Sequence, residues 1–501
     1  MKITKKLSHN KLILLLITIL ILSISIANID SVNATTITSS DDLKSIVESS
    51  QSKNRATTIN LKSGTYDLSN KTITITGNVT INGLGSGKSR PVLDAKNKNR
   101  MFEVDKGSTL TLKNLILTKG RETGRGGAIY SEGTLNIDNC DLIANKVSGH
   151  GNDGGAIHSQ YGSVSIKNSM FVRNTAINDG GAIDSYNSRL SITKSYFNKN
   201  HASKGGAISY FNGLNADRNR NKLAIEDSRF TENTGKGESS SGGAIDISNA
   251  DVIISNCIFT KNTAINNGGA MKAHTSKVSI SSSTFKENRA NEGGAVYSSG
   301  SLSNNLGASL TINKCTFTKN TATASIKTGG NGGGAILSDN ALKISNSVFS
   351  KNKANQYKNK TYKEKGGGAI SHFGSLAIDK TIFTGNTANF GGVINMNDAS
   401  HGSITRSTFT KNTGTNRGSV IYCHTNTSRL SSNPTKSKIT VSKSVFSGNK
   451  GKHILYQHEK FIHTFSANNN YWGKNMTLKK VRSLNYRVNI SRLAKSPNVI
   501  R

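Results

Sequence analysis

The chain has 501 residues, 65 Lys+Arg against 29 Asp+Glu, and a formal net charge of +36. Aromatic residues make up 6% with one Trp, which excludes a large aromatic-rich globular core, and three Pro exclude a Pro-rich disordered tail. Length alone suggests roughly two to four globular domains, but an internal repeat overrides that prior and accounts for the 49 Gly.

In chain order, residues 1–34 read as a secretory signal. Lys2, Lys5, Lys6 and Lys11 precede the apolar run Leu12–Ile26, and Val32-Asn33-Ala34 fits a small-x-small cleavage pattern. The run is short for a spanning helix of about 20 residues; a retained N-terminal anchor is the alternative. No stable transmembrane span is expected in the mature chain, which is expected to be secreted and extracellular, at the cell surface or envelope. Four lysines and Asp30 leave with the signal, so +36 becomes +33. Such a field favours anionic polymers and cell-surface or wall polysaccharides, and export disfavours nucleic acid. The basic residues are dispersed, so a solvated surface is the competing explanation. Asn-x-Ser/Thr triplets at Asn70, Asn78, Asn359, Asn426, Asn475 and Asn489 are compatible with a glycoprotein.

Residues 35–56 are expected to form an N-terminal cap with a short helix near Asp41–Ser49. Residues 57–467 are expected to be an all-β, right-handed parallel β-helix of about a dozen or more coils, opening with irregular coils up to residue 115. The evidence is a pair of interleaved motifs. Gly-Gly-Ala-Ile or a close variant recurs ten times, with its first Gly from Gly126 to Gly391. A Phe-x-x-Asn motif alternates with it. Five residues before each Phe lies Ile or Val, such as Ile166, Ile192 and Ile225, and seven before it lies another apolar residue in nearly every copy. Apolar residues two apart with polar ones between make a strand with one buried face. The shortest spacing, 24 to 26 residues, suits a coil of three short strands and three turns. The apolar side chains of one coil supply about 6–10 kcal/mol on burial, less than the entropy of ordering it. Coils must therefore stack to fold.

The motif Asn residues (Asn174, Asn200, Asn233, Asn262, Asn288, Asn320, Asn352, Asn386 and Asn412, with Asn145 and Asn449 at the ends) are expected to form an internal structural ladder of amides. Cys140, Cys257 and Cys315 occupy a position filled elsewhere by Ser or Thr. They stand two or more coils apart, beyond disulfide reach, so free thiols and no metal site or cofactor are expected. Cys423 falls outside this register. Insertions follow the Phe-Asn motif or the Gly-Gly strand and map to loops. The loop that begins at Lys353 carries Tyr357, Lys358, Lys360, Tyr362 and Lys363, a set suited to sugar stacking beside an anionic group; a solvated loop is the alternative. Residues 468–501 are expected to be a C-terminal cap or tail.

The Gly-Gly-Ala-Ile and Phe-x-x-Asn pair resembles the repeats of chlamydial polymorphic outer membrane proteins. The whole layout is similar to adhesin-like surface proteins of methanogenic archaea. Gly64-Thr65-Tyr66, Leu93-Asp94-Ala95 and Thr109-Leu110-Thr111-Leu112 resemble their early coils, and Asn469-Asn470-Tyr471-Trp472-Gly473 resembles a signature near the end of their helices. The resemblance implies a β-helix at the cell surface more firmly than any activity. The chain departs from the pattern in showing no C-terminal autotransporter barrel, wall-binding repeat or sorting signal.

Parallel β-helices also house pectate lyases and polygalacturonases, so fold alone does not decide function. The residue after each Gly-Gly-Ala-Ile forms a column: Tyr130, His158, Asp184, Ser209, Asp246, Lys272, Tyr297. His158 and Asp184 should be neighbours along the stack and are the catalytic candidates for a polysaccharide lyase or glycoside hydrolase. Gly149-His150-Gly151 matches a polygalacturonase tripeptide, without its partner aspartates. The leading expectation is a non-enzymatic, adhesin-like protein binding glycans or anionic polymers. A purely structural envelope component is a third possibility.

Overall fold

A computed structural model describes residues 33–39, 41–51, 55–149, 151, 153–213, 216–217, 221–237, 239–300, 307–323, 332–355, 366–424, 438–458 and 464–497. The first 32 residues of the expected signal, His150, and Tyr357, Lys358, Lys360, Tyr362 and Lys363 lie outside them. The described chain is a parallel β-solenoid of about 13 turns with almost no helix. Every pairing between its strands is parallel, as the stacking of successive coils requires.

One coil illustrates the rest. Ile157–Gln160 lies on a Gly-Gly face, Ser163–Lys167 on a second face, and Met170–Val172 on a third. Each pairs in register with its copy one coil on, as Ile157 with Ile183, Ile166 with Ile192 and Phe171 with Phe197. The third face is a 14-stranded sheet. The other two join where Ile370–Asp379 and Ile394–Thr405 run unbroken round the corner. Alternation along each strand sends Val164, Ile166 and Phe171 inward, all buried.

The corner after the third face is held by two columns. Phe171, Phe197, Phe230 and their successors stack in parallel, with centroids 4.7 Å apart for the first pair and 5.1 Å for the last, Phe409–Phe446. Beside them each Asn between the two ends of the column uses its full hydrogen-bonding capacity. Oδ1 of Asn288 accepts from the backbone N–H and the Nδ2 of Asn262, both at 3.0 Å. Its Nδ2 donates to Phe259 O and to Asn320 Oδ1, again at 3.0 Å. Two donors and two acceptor sites are all an amide offers. The residue before each Asn is left-handed, with φ near 55° at Arg173, Lys199, Lys261 and Lys319. The side chains of Cys140, Cys257 and Cys315 take the place of the serine hydroxyls: Cys257 Sγ lies 3.1 Å from Ser255 O, as Ser283 Oγ lies 2.7 Å from Ser281 O. Cys423 lies on the inner side of Ile421–His424 and is buried.

The ends are closed differently. At the N-terminal end Asn33–Ile37 pairs in register with 57–61, and the helix Leu43–Ser50 buries Leu43 and Val47. Glu48 of the helix and Gln51 just after it satisfy the open edge of Ile73–Ile75. Glu48 accepts from Thr74 N at 2.9 Å, and Gln51 Nε2 donates to Thr74 O at 2.7 Å. That is how an exposed edge is blunted. At the other end the repeat runs further than the expected boundary at 468. Asn470 takes the serine position, accepting from Ser444 N at 2.9 Å. Trp472 ends the phenylalanine stack, 4.4 Å from Phe446. The cap proper follows it, with the helix Leu478–Ser483 burying Val481. Among the described residues no helix is long and apolar enough to cross a membrane.

Candidate functional site: a mixed-charge groove on the Gly-Gly face

The Gly-Gly pair shapes this face. At Gly154 φ is +70°, and a Cβ there would lie 2.1 Å from Ile157 O; at Gly155 it would lie 2.1 Å from Gly181 O of the next coil. Only glycine permits both the turn and the close approach. The sharp corner turns the residue before Gly-Gly toward the residue after Ala-Ile. Two columns therefore face each other, Arg125, Asp153, Asp179 and Lys204 on one side and Tyr130, His158, Asp184 and Ser209 on the other. Between them lies a cavity of about 450 Å³, which continues past Asp246 and Lys272.

The sequence-derived pair meets. His158 and Asp184 are register partners, and His158 Nδ1 lies 2.9 Å from Asp184 Oδ2. The contact has ion-pair distance without the alignment of a hydrogen bond, and His158 Nε2 also lacks a hydrogen bond among the described residues. Tyr130 stacks on the imidazole with centroids 5.5 Å apart. Its hydroxyl donates to Glu132 at 2.8 Å, and burial, with Glu132, pushes its pKa up to about 12.

The opposite column was missing from the sequence reading. Asp153 lies 3.6 Å from Arg125 Nε and Asp179 3.5 Å from Lys204 Nζ. Burial pushes the Asp179 carboxyl up to about 6; Lys204 opposes this, and the negative charges of Asp184, Asp153 and Asp246 add to it. Burial also raises Asp153, with Asp184 adding and His158 and Arg125 opposing. Further along, Ser241 Oγ donates to Asp246, which also lies 3.5 Å from Lys272 Nζ. Four carboxylates thus converge on one groove of a strongly basic chain. An aromatic edge flanks it, with Tyr186 stacked on Phe211 at 5.5 Å and Tyr161 edge-on to Tyr186 at 5.5 Å. Tyr161 and Phe211 are exposed.

Of the loop candidates, Lys353 is described, exposed on the short strand Lys353–Ala354 and remote in sequence from the groove. The signal that could have found the missed column is positional. The residue before each Gly-Gly varies (Arg125, Asp153, Asp179, Lys204), yet it pairs from coil to coil, as Asp179 with Lys204 and Lys204 with Ser241.

Comparison with known proteins agrees with the repeat resemblance. The Chlamydia polymorphic membrane protein repeat matches residues 282–299 and 314–339. No curated protein matches the chain. Among solved structures, the chain is similar to a mannuronic acid specific polysaccharide family 6 lyase from human gut microbiota. Identity is 9%, covering 93% of this chain and 92% of that one, with a TM-score of 0.29. It is also similar to the A-module of a mannuronan C-5 epimerase from Azotobacter vinelandii, at 9% identity over 91% and 93% of the two chains, TM-score 0.22. At these scores neither bears on the chemistry of this chain.

Proposed function

We propose that this chain is an adhesin-like, surface-exposed β-solenoid that binds acidic or partly acidic polysaccharides in the groove of its Gly-Gly face. The observation that carries this reading is the composition of the groove. Lys204, Lys272 and Arg125 suit uronate or sulfate groups, Asp153 and Asp179 suit sugar hydroxyls, and Tyr186 and Phe211 offer a stacking edge. A net charge of +36 draws polyanions toward it. Secretion and the loop surface around Lys353 remain part of the same proposal. A second reading has one specific observation in its favour. The His158–Asp184 contact, with Asp179 held at about 6 across the groove, is a constellation able to move protons at neutral pH, which would make the chain a polysaccharide lyase or hydrolase.

The test is size-exclusion chromatography of the chain with a panel of acidic and neutral polysaccharides, following glycan length and protein together. Intact acidic glycan co-eluting with protein, and released by high salt, is the expected result. Shortened glycan would transfer the function to the second reading, with loss of shortening in His158→Gln as its check. No co-elution and no shortening would leave neither.

A further inference from the structure

Three groove residues bring donor atoms together without a hydrogen-bond network to explain them. Asp153, His158 and Asp184 each place one ligand atom within 4.8 Å of the others. Asp153 comes from the corner before Gly154, while His158 and Asp184 come from adjacent rungs of the facing column. His158 is 1% exposed, and neither ring nitrogen makes an aligned hydrogen bond among the described residues. A buried polar group left this way costs about 1–3 kcal/mol. A cation accepting the Nδ1 lone pair would satisfy one of the two ring nitrogens, and the two aspartates would balance its charge.

We propose that Asp153, His158 and Asp184 bind a divalent first-row transition cation of the zinc type, with its remaining coordination positions open to the groove. One imidazole and two carboxylates form a nitrogen–oxygen set that suits zinc and its neighbours. Calcium takes six to eight oxygens, so the imidazole selects against it. Arg125, whose side chain is 47% exposed, lies 3.6 Å from Asp153 and can swing out as the cation enters. Buried Cys140 and Cys257, with thiols pushed up to about 12, do not compete as thiolates. An open coordination position is where a sugar hydroxyl or carboxylate would enter, so the site deepens the groove reading above; metal uptake without glycan tests it separately.

The experiment is equilibrium dialysis of the full chain, stripped with chelator, against zinc, with cobalt as a spectroscopic substitute. One zinc per chain is expected, unaffected by a large excess of calcium, with cobalt d–d bands reporting the site. His158→Gln and Asp184→Asn should each weaken uptake at least about 100-fold. Asp153→Asn, on the more exposed ligand, decides the question if those two variants fail to fold. No uptake by the parent chain, displacement by calcium, or uptake unchanged in the variants (other histidines acting as the sink) would each overturn the proposal. Glycan co-elution by the stripped protein would uphold binding in the groove whatever the zinc result.

Discussion

The two corners of each coil follow opposite rules. The corner after the third face repeats Phe and Asn almost without change, and every polar atom of the Asn column is matched within the stack. The Gly-Gly corner repeats its glycines and the buried Ala-Ile that follows, while the side chains it turns toward each other differ from coil to coil. A column that is identical throughout serves the stacking, since its partners are its own copies. A column that varies has no copies to bond to, and between Asp153 and Lys272 it gathers charges of both signs that pair across the groove and along the stack. The groove proposed to bind glycan lies where the repeat varies.

The largest expected effect comes from breaking the uniform corner. Asn288→Ala removes the acceptor of the Asn262 backbone N–H and of one Asn262 Nδ2 hydrogen, whose other bond to Phe230 O stays, and the amide donor to Phe259 O. At about 1–3 kcal/mol for each of these three lost partners, the loss should be about 3 kcal/mol or more, read as a fall in the urea midpoint. A loss under about 1 kcal/mol would mean that water or a neighbouring coil replaces the amide. Phe285→Ala, which opens a gap in the stack between Phe259 and Phe317, should cost about 3–5 kcal/mol by the same measurement.

Acid should find a buried weakness on the inner side of the Gly-Gly face. His372 is buried, and burial lowers it to about 4, although backbone groups at Gly374, Ser375 and Ser338 lean the other way. With the folded pKa depressed, its stability is fully present above the unfolded value of about 6.5 and is lost as pH falls toward 4. The full difference is about 3 kcal/mol. His372→Leu should flatten that part of the Tm-against-pH curve between pH 6.5 and 4. An unchanged slope in the variant would place the acid sensitivity elsewhere. The smallest effect should come from the variable corner. Lys204→Met should shift stability by no more than about 0.5 kcal/mol while weakening retention of acidic glycan. A large fall in Tm with retention unchanged would reverse the division of labour between the corners.

Much of this was readable from the residues. Ile166 and Val164 two apart, the Phe and Asn spacing, and Ser replaced by Cys give the strand faces and the register, because a parallel solenoid makes sequence period and spatial neighbourhood the same thing. The His158–Asp184 pairing was legible for that reason. The facing column of Asp153 and Asp179 was not, because two residues on either side of a turn meet only if the turn is sharp, and that depends on the φ of Gly154 and Gly180. Left-handed Lys199, Lys261 and Lys319 were also illegible, since Lys carries no intrinsic preference for positive φ; there the ladder bonds override local preference. Asn469-Asn470-Tyr471-Trp472-Gly473 was legible as a signature near the helix end, but not as a last rung, because Trp472 stands where the column carries phenylalanine; it closes the stack against Phe446.

Because a coil enters and leaves at equivalent points, the Gly-Gly turn is also a natural joint for rearrangement in the gene. Excising Gly180–Lys204 would join Asp179 to Gly205 and set His158 beside Ser209, and Asp179 beside Ser241, with the scaffold unchanged. Duplicating the same stretch would set a second copy of Asp184 beside the first, with Lys204 in place of Asp179 before its Gly-Gly pair. Slippage of one coil length would thus rewrite the groove in a single step, giving a lineage new surface chemistries without having to reinvent a fold.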